Sequence, residues 1–445
     1  MTADGPASRN GNGGAQAGTR TIQVDALARV EGEGSFKVRI ADGKVAEAQF
    51  HIFEPPRYFE ALLVGRSYRD APDVTSRICG ICPIAYIMGA SQAMEQALGL
   101  AVPRPIADLR RLLYCGEWIQ SHVLHTHMLH APDFLGLDDA FQIAARDRAL
   151  VENGLAVKKL GNSLMEVIGG RAVHPVNTRV GGFFSAPDQA AVRALAPELE
   201  RGAELSIAAL KAFAAFDFPD FEHDYLCVSL RHESDYPIIE GRIVASDGLD
   251  LAAEDFEQHF QEHHVAHSNA LQGSTLDGRP YLVGPLARFN LNFDRLPSEL
   301  QALAREVGLG DHCRNPYRSI LVRQLEVAYA CLEGARLARA YEPLEPAFVE
   351  APARAGIGHG ATEAPRGLCY HRYEIDEDGR IVTARIVPPT SQNQRQIEQD
   401  LVGVVERSLE LDDAALQWRC EQTVRNYDPC ISCATHFLKL DIDRG

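Results

Sequence analysis

Two cysteine pairs at opposite ends of the chain constrain it most: Cys79 and Cys82 in "RICGICP", and Cys430 and Cys433 in "DPCISCATH". If the pairs share one task, nearly all of the 445 residues become the loop that they close. Gly80 relieves the backbone of the front pair, and Pro83 suits the first turn of a following helix. At the rear, Asp428 is a good N-cap and Pro429 a good first helical residue. Both pairs are therefore expected where a loop enters a helix, a place where unpaired N–H groups and the helix dipole favour thiolates.

Three chemistries compete for such pairs. A disulfide oxidoreductase sets one C-x-x-C on a thioredoxin-like βαβ unit, a pattern missing here. A structural zinc site uses four thiolates, but its pairs normally lie about 15–20 residues apart. A redox metal centre buried between the two chain ends is the third. Spacing alone leaves zinc and a redox metal level. The single cysteines, Cys115, Cys227, Cys313, Cys331, Cys369 and Cys420, read as small buried hydrophobes, and a reducing compartment would keep them as thiols.

Hydrophobic residues make up 46% and charged ones 24%, the balance of a soluble globular protein. The net charge of −17, from 44 basic and 61 acidic side chains, disfavours nucleic acid and anionic membrane surfaces as partners. No apolar run is long enough to span a bilayer, so no membrane insertion is expected. Residues 1–20 are rich in Gly, Ala and Asn without an apolar signal core, and read as a disordered tail of a cytoplasmic chain.

Alternation over residues 21–53 around "ADGK" predicts two or three antiparallel strands. From Pro55 three- and four-residue spacing predicts helices, through "PIAYIMGASQAMEQALGL", "IADLRRLLYCGEWIQSHVLHTHMLH" and "DRALVENGLAVKKLGNSLMEVIGG". Residues 187–215, 250–272 and 297–342 continue as helices. "LCYHRYEIDEDGRIVTARIVPP" is strand-like, and a last helical stretch follows. No repeat or linker divides the chain. The expected fold is mainly α: one large helical domain over 21–436, with small antiparallel β elements near the N-terminus and before the C-terminal region.

"RVEGEG", "RYFEALLVGR", "RICGIC", "GGRAVHP", "EAPRGL", "VPPTSQN" and "DPCISCATH" occur in the order found in the large subunit of nickel–iron hydrogenases. The resemblance runs from Arg29 to His436. "SHVLHTHMLHAPDFLG", "GPLARFNLN" and "CYHRYEIDEDGRI" resemble the soluble, multi-subunit branch linked to NAD(P).

That likeness implies that Cys79, Cys82, Cys430 and Cys433 hold nickel. Cys82 and Cys433 would also bridge to an iron that carries carbon monoxide and cyanide, and H2 would be split heterolytically there. Glu31, which alone reads as a surface strand glutamate, matches the family's proton-relay residue. Glu60 matches the carboxylate of a buried magnesium site that iron could also fill, with the Ile386 backbone carbonyl and His436 as the other protein ligands. Arg366 would reach over the metals and hydrogen-bond one cyanide without losing its charge. Thr390 matches the hydroxyl that donates to the other. "FLKLDIDRG", residues 437–445, looks like the extension that a maturation endopeptidase removes between His436 and Phe437, after nickel-insertion proteins have loaded the metal.

Two departures from the family's pattern stand out: Tyr86 where many relatives have histidine, and Ser121 where many have aspartate. The first weakens any histidine hydrogen bond to a bridging sulfur. The second removes a possible partner for Arg366. His122, His125 and His130, like His259, His263 and His267, fall near one helical face and read as packed or solvated rather than metal-binding.

This chain has no further cysteine array for iron–sulfur clusters and no Gly-rich dinucleotide fingerprint after a strand. The resemblance therefore implies that electrons leave through an iron–sulfur small subunit, and beyond it through flavin-containing subunits that reduce NAD+ or NADP+. One rival, the homologous quinone-reductase core subunit, has lost the nickel cysteines that are all present here. Others are a zinc-stabilised non-catalytic homologue and a hydrogen sensor.

Overall fold

Ser319–Ala340 is buried around nearly its whole circumference, with Arg323, Gln324 and Glu326 enclosed among its apolar residues. Gln189–Phe213 and Arg104–Val123 pack against it, and Arg148–Gly169 closes the group by packing on both. Glycine sets the tightest crossing, because a Cβ on Gly161 would sit 2.7 Å from the Gly116 carbonyl oxygen. The two backbones touch, which fixes the height of Arg104–Val123 beside its neighbours.

The computed structural model describes residues 19–435. In chain order it opens with an antiparallel sheet of β1 (Thr19–Val24), β2 (Gly34–Ala41) and β3 (Lys44–Ile52). The Asp42-Gly43 turn has φ of 51° and 72°, the doubly left-handed backbone that suits a two-residue hairpin. Helices α1 (Phe59–Leu63), α2 (Ala71–Ser76), α3 (Pro83–Leu98) and α4 (Arg104–Val123) follow. A π-helical turn, Leu124–His130, extends α4. The largest apolar core draws residues from Ile22 to Ala434, so both ends of the described chain are built into it. No described helix is long and apolar enough to cross a membrane.

The mainly helical fold with small antiparallel sheets agrees with the sequence, but three segments differ. Residues 250–272 are not helical: they form Asp250–Leu251, a 3-10 turn over Ala253–Gln258, and an antiparallel hairpin of Phe260–Val265 and Ser268–Thr275. His259, His263 and His267 therefore share no helix face. Burial along the hairpin is irregular and several of its buried residues are polar, Gln272, Ser274 and Thr275 among them, which hides the strand alternation. A strand at Gly356–Ala364, not expected from the sequence, pairs with Gly367–Ile375 and covers α3. Its glycines are required there, since a Cβ on Gly358 would lie 1.8 Å from the Ala93 carbonyl oxygen. Finally, β1 begins at Thr19, and Arg20 donates to Asp413 and to the Leu411 carbonyl, so these two residues belong to the sheet rather than to a tail. The rest of the expected tail, His436 and the 437–445 extension lie outside the described residues.

Candidate metal centre

The sheet and the helices bring the two cysteine pairs together. Cys82 is the N-cap of α3 with Pro83 in its first turn, and Cys430 is the N-cap of a single helical turn, Ile431–Ala434. Cys79 Sγ lies 3.5 Å from Cys430 Sγ, Cys82 Sγ 3.4 Å from Cys433 Sγ, and Cys430 Sγ 2.8 Å from Cys433 Sγ. All four sulfurs are buried and fall within 4.8 Å of one another, a spacing that a single ion with metal–sulfur bonds of about 2.3 Å can bridge. Among the described residues no other group of three or more His, Cys, Asp or Glu is so arranged.

Protonation fits a metal in the same way. Hydrogen bonds from Cys430, Cys433 and Cys82 hold Cys79 well below the usual thiol range. Burial pushes Cys430 and Cys433 up. The site alone thus favours one thiolate, and ionising the rest calls for added positive charge among the sulfurs. A divalent cation supplies it.

Glu31 reaches this cluster through a backbone bridge. It pairs with Cys430 as a parallel β-bridge, and its carbonyl accepts from Ile431 N–H at 3.0 Å. Its carboxylate Oε2 then accepts from Cys430 Sγ and from Ser432 N–H, both at 3.0 Å. The glycines of "RVEGEG" permit the approach: a Cβ on Gly32 would meet Ile431 Cβ at 2.7 Å. Arg29 anchors the same segment on buried Asp133 at 2.6 Å, and Arg425 grips that carboxylate with two 2.8 Å bonds.

Arg366 is buried beside the rear pair. Its Nε donates to the Asp428 carbonyl at 2.6 Å, its Nη2 to Asp428 Oδ1 at 3.0 Å and its Nη1 to Ser121 Oγ at 3.4 Å. Asp428 is therefore not an N-cap, contrary to expectation. It stands in the left-handed region with φ of 51°, and its side chain turns to the guanidinium. Ser121 keeps a contact with Arg366, but the countercharge comes from the other cysteine loop. Thr390, at the start of Pro389–Glu406, accepts from Cys430 N–H at 3.1 Å.

Glu60 stands on α1 with its Oε1 accepting from Ile386 N–H at 2.7 Å, which puts the two residues side by side through the Ile386 amide and not through the carbonyl expected as a magnesium ligand. Arg57 N–H donates to the Thr435 carbonyl at 2.7 Å, which brings the residue before His436 to the start of the same segment. Nothing in the sequence marks the role of the Arg57 side chain. Its Nη2 donates both to the Ile78 carbonyl and to the Ser432 carbonyl, tying the front loop to the rear one. Arg57 and Asp428 could have been sought as polar groups closing two loops that must meet. The helical histidines are buried: His125 bonds to the Arg425 carbonyl at 2.9 Å and His130 to Asn426 Oδ1 at 3.1 Å. Tyr86 packs edge-on to His371 with ring centroids 5.8 Å apart.

Four sulfurs do not by themselves distinguish nickel from zinc. The family model for nickel-dependent hydrogenases matches residues 57–155 and 272–436, which include all four cysteines. The chain belongs to the nickel-dependent hydrogenase family. Within this family it is similar to two alpha subunits of Pyrococcus furiosus. Sulfhydrogenase 2 is 34% identical, over 94% of this chain and 100% of that one. Sulfhydrogenase 1 is 32% identical, over 94% and 98%. Its fold matches that of an NAD+-reducing [NiFe]-hydrogenase in the H2-reduced state with a TM-score of 0.83, at 28% identity over 94% of this chain and 100% of that one. The chain is thus a hydrogenase large subunit of a nickel-dependent family, and its four-cysteine cluster is suited to holding a metal.

Proposed function

We propose that this chain is the catalytic large subunit of a cytoplasmic nickel–iron hydrogenase, which interconverts H2 with protons and electrons and exchanges those electrons with NAD(P)+ through partner subunits. The observation that carries the reading is a carboxylate, Glu31 Oε2, 3.0 Å from the sulfur of Cys430 inside a buried four-sulfur cluster. A nickel–iron centre with carbonyl and cyanide ligands, held by Cys79, Cys82, Cys430 and Cys433, supplies the site at which H2 is activated. Cys430 Sγ and Glu31 Oε2 pass the proton between the cluster and the protein edge, a transfer short enough to need no side-chain travel. Arg366 keeps its charge beside the sulfurs because Asp428 and the thiolates favour the cation, and it offers donors to a cyanide. Thr390 accepts from Cys430 N–H, which leaves its own O–H to donate to the second cyanide. Glu60, the Ile386 carbonyl and His436 hold magnesium or iron.

Electrons need a short way out, and the front loop reaches the surface at Gly80. Val173 lies beside Gly80, and Val173, Val176 and Phe184 are 51%, 47% and 61% exposed. We place the iron–sulfur small subunit on this apolar face. Phe184→Glu is expected to release that subunit in size-exclusion chromatography with nickel content unchanged. Intact co-elution would move the docking face elsewhere.

The likeness to an NAD+-reducing enzyme supports pyridine nucleotide as the terminal acceptor, taken through flavin-containing subunits. The first test is an infrared spectrum of the purified complex. Metal-bound carbonyl and cyanide bands are expected, followed by H2-dependent reduction of NAD+ or NADP+. Their absence from a fully metal-loaded sample would return the cluster to zinc. Maturation has its own readout: the intact mass of the nickel-loaded subunit is expected to end at His436. A mass that retains residues 437–445 would remove the endopeptidase step.

A further inference from the structure

Cys82 occupies the N-cap position of α3, where a serine, threonine, aspartate or asparagine would normally satisfy the first free N–H groups of the helix. A metal ligand cannot serve there, and the Cys82 side chain makes no capping bond. The bonds come instead from Glu117, fully buried on α4. Its Oε2 accepts from Ile84 N–H at 2.5 Å and its Oε1 from Ala85 N–H at 3.2 Å. One turn further along α4, Gln120 donates to the Ile81 carbonyl. The next residue, Ser121, touches Arg366, which grips Asp428 of the rear loop.

The register of α4 is itself fixed by the glycine crossing at Gly116, one residue before Glu117. A single turn of an immobile helix therefore meets the front cysteine loop on both sides of Cys82 and, through Arg366, the loop that carries Cys430. Burying a carboxylate is costly unless it is well bonded, and both oxygens of this one are held by N–H groups just past Cys82. Its surroundings are those of the metal centre.

We propose that Glu117 is a positioning residue of the metal centre: it replaces the N-cap that Cys82 gives up, and it sets where the bridging sulfur of Cys82 stands relative to the rear pair. The proposal rests on the nickel–iron reading above. It predicts that the carboxylate acts on the cluster through Ile84 and Ala85, whose N–H groups require two acceptor oxygens. Glutamine offers one oxygen and turns an NH2 group against the other donor.

The test compares the purified complex carrying Glu117→Gln with the wild type and with Glu117→Asp, recording the infrared bands of the iron ligands and the rate of nickel loss to a chelator. In Glu117→Gln the bands are expected to shift and broaden, and nickel is expected to leave about 10–100-fold faster, the range typical for partners of metal ligands. Glu117→Asp keeps two acceptor oxygens and should recover much of both signals. Wild-type bands and nickel retention in Glu117→Gln would overturn the proposal. A fall in melting temperature with both readouts unmoved would reduce Glu117 to a structural cap, and would equally overturn it. Failure of the nickel–iron reading would show separately, as missing bands in the wild type. Should Glu117→Gln not fold, Gln120→Leu tests the same template through the Ile81 carbonyl, with the same shift expected and an unshifted spectrum overturning it.

Discussion

Cys82→Ser is expected to abolish hydrogenase activity and to strip nickel from the protein while leaving the fold in place. The substitution exchanges a buried sulfur for a smaller oxygen at the N-cap of α3, a position that serine favours. The helix therefore loses nothing. The centre loses a soft ligand, because a hydroxyl ionises far less readily than a thiol and binds a soft metal more weakly. Cys82 stands 3.4 Å from Cys433, and on the proposed reading both would be ligands shared by the nickel and the iron. One exchange thus damages the nickel set and the bridge together. Nickel content per chain, measured by plasma mass spectrometry, should fall below about a tenth of wild type. Circular dichroism and the melting profile of the metal-free forms should coincide, and H2 uptake should be undetectable. Full nickel with active H2 uptake would show that Cys82 is not a ligand.

Legibility in the sequence followed physical causes. α3, α4 and Arg148–Gly169 could be read directly because their apolar residues recur at helical spacing, and α3 and Arg148–Gly169 also end at Gly99 and Gly170, both with positive φ. Gly356–Ala364 could not. "GIGHGATEA" carries glycines that usually signal a loop, and their purpose, letting a strand lie on the α3 backbone, exists only in three dimensions. The histidine-bearing hairpin at 260–275 was misread for the opposite reason: its mixed burial shows neither period cleanly. In the centre, the cysteines and Glu31 lie in short motifs, and it is the resemblance of those motifs to the hydrogenase pattern that brings Glu31 to the cluster, since alone it reads as a surface strand residue. The groups that hold the loops together lie elsewhere. Arg57 acts on backbone carbonyls, Asp428 answers a guanidinium 62 residues away in sequence, and Glu117 caps a helix 33 residues before it. Bonds between a side chain and a distant backbone leave no pattern in the sequence.

Glu31→Gln separates proton transfer from metal binding. The side chains match in volume, and glutamine can still accept from Ser432 N–H, so the bridge between Glu31 and Cys430 should persist. Glutamine cannot take up a proton. If Glu31 Oε2 receives the proton that leaves Cys430 Sγ, the variant should lose about 10²–10⁴-fold in H2-oxidation rate, the usual contribution of a positioned acid–base group. Nickel content should match wild type, and the infrared bands of the iron ligands should shift little, because no metal ligand has moved. Glu31→Asp retains the chemistry but falls one methylene short, so it should land between the two. Together these outcomes would assign the carboxylate to proton movement, since a ligand or structural residue would take nickel or the bands down with it. A Glu31→Gln rate within about threefold of wild type would instead mean that protons leave the sulfurs by another path. The 3.0 Å contact at Cys430 would then serve to hold the rear loop against β2 and its preceding turn.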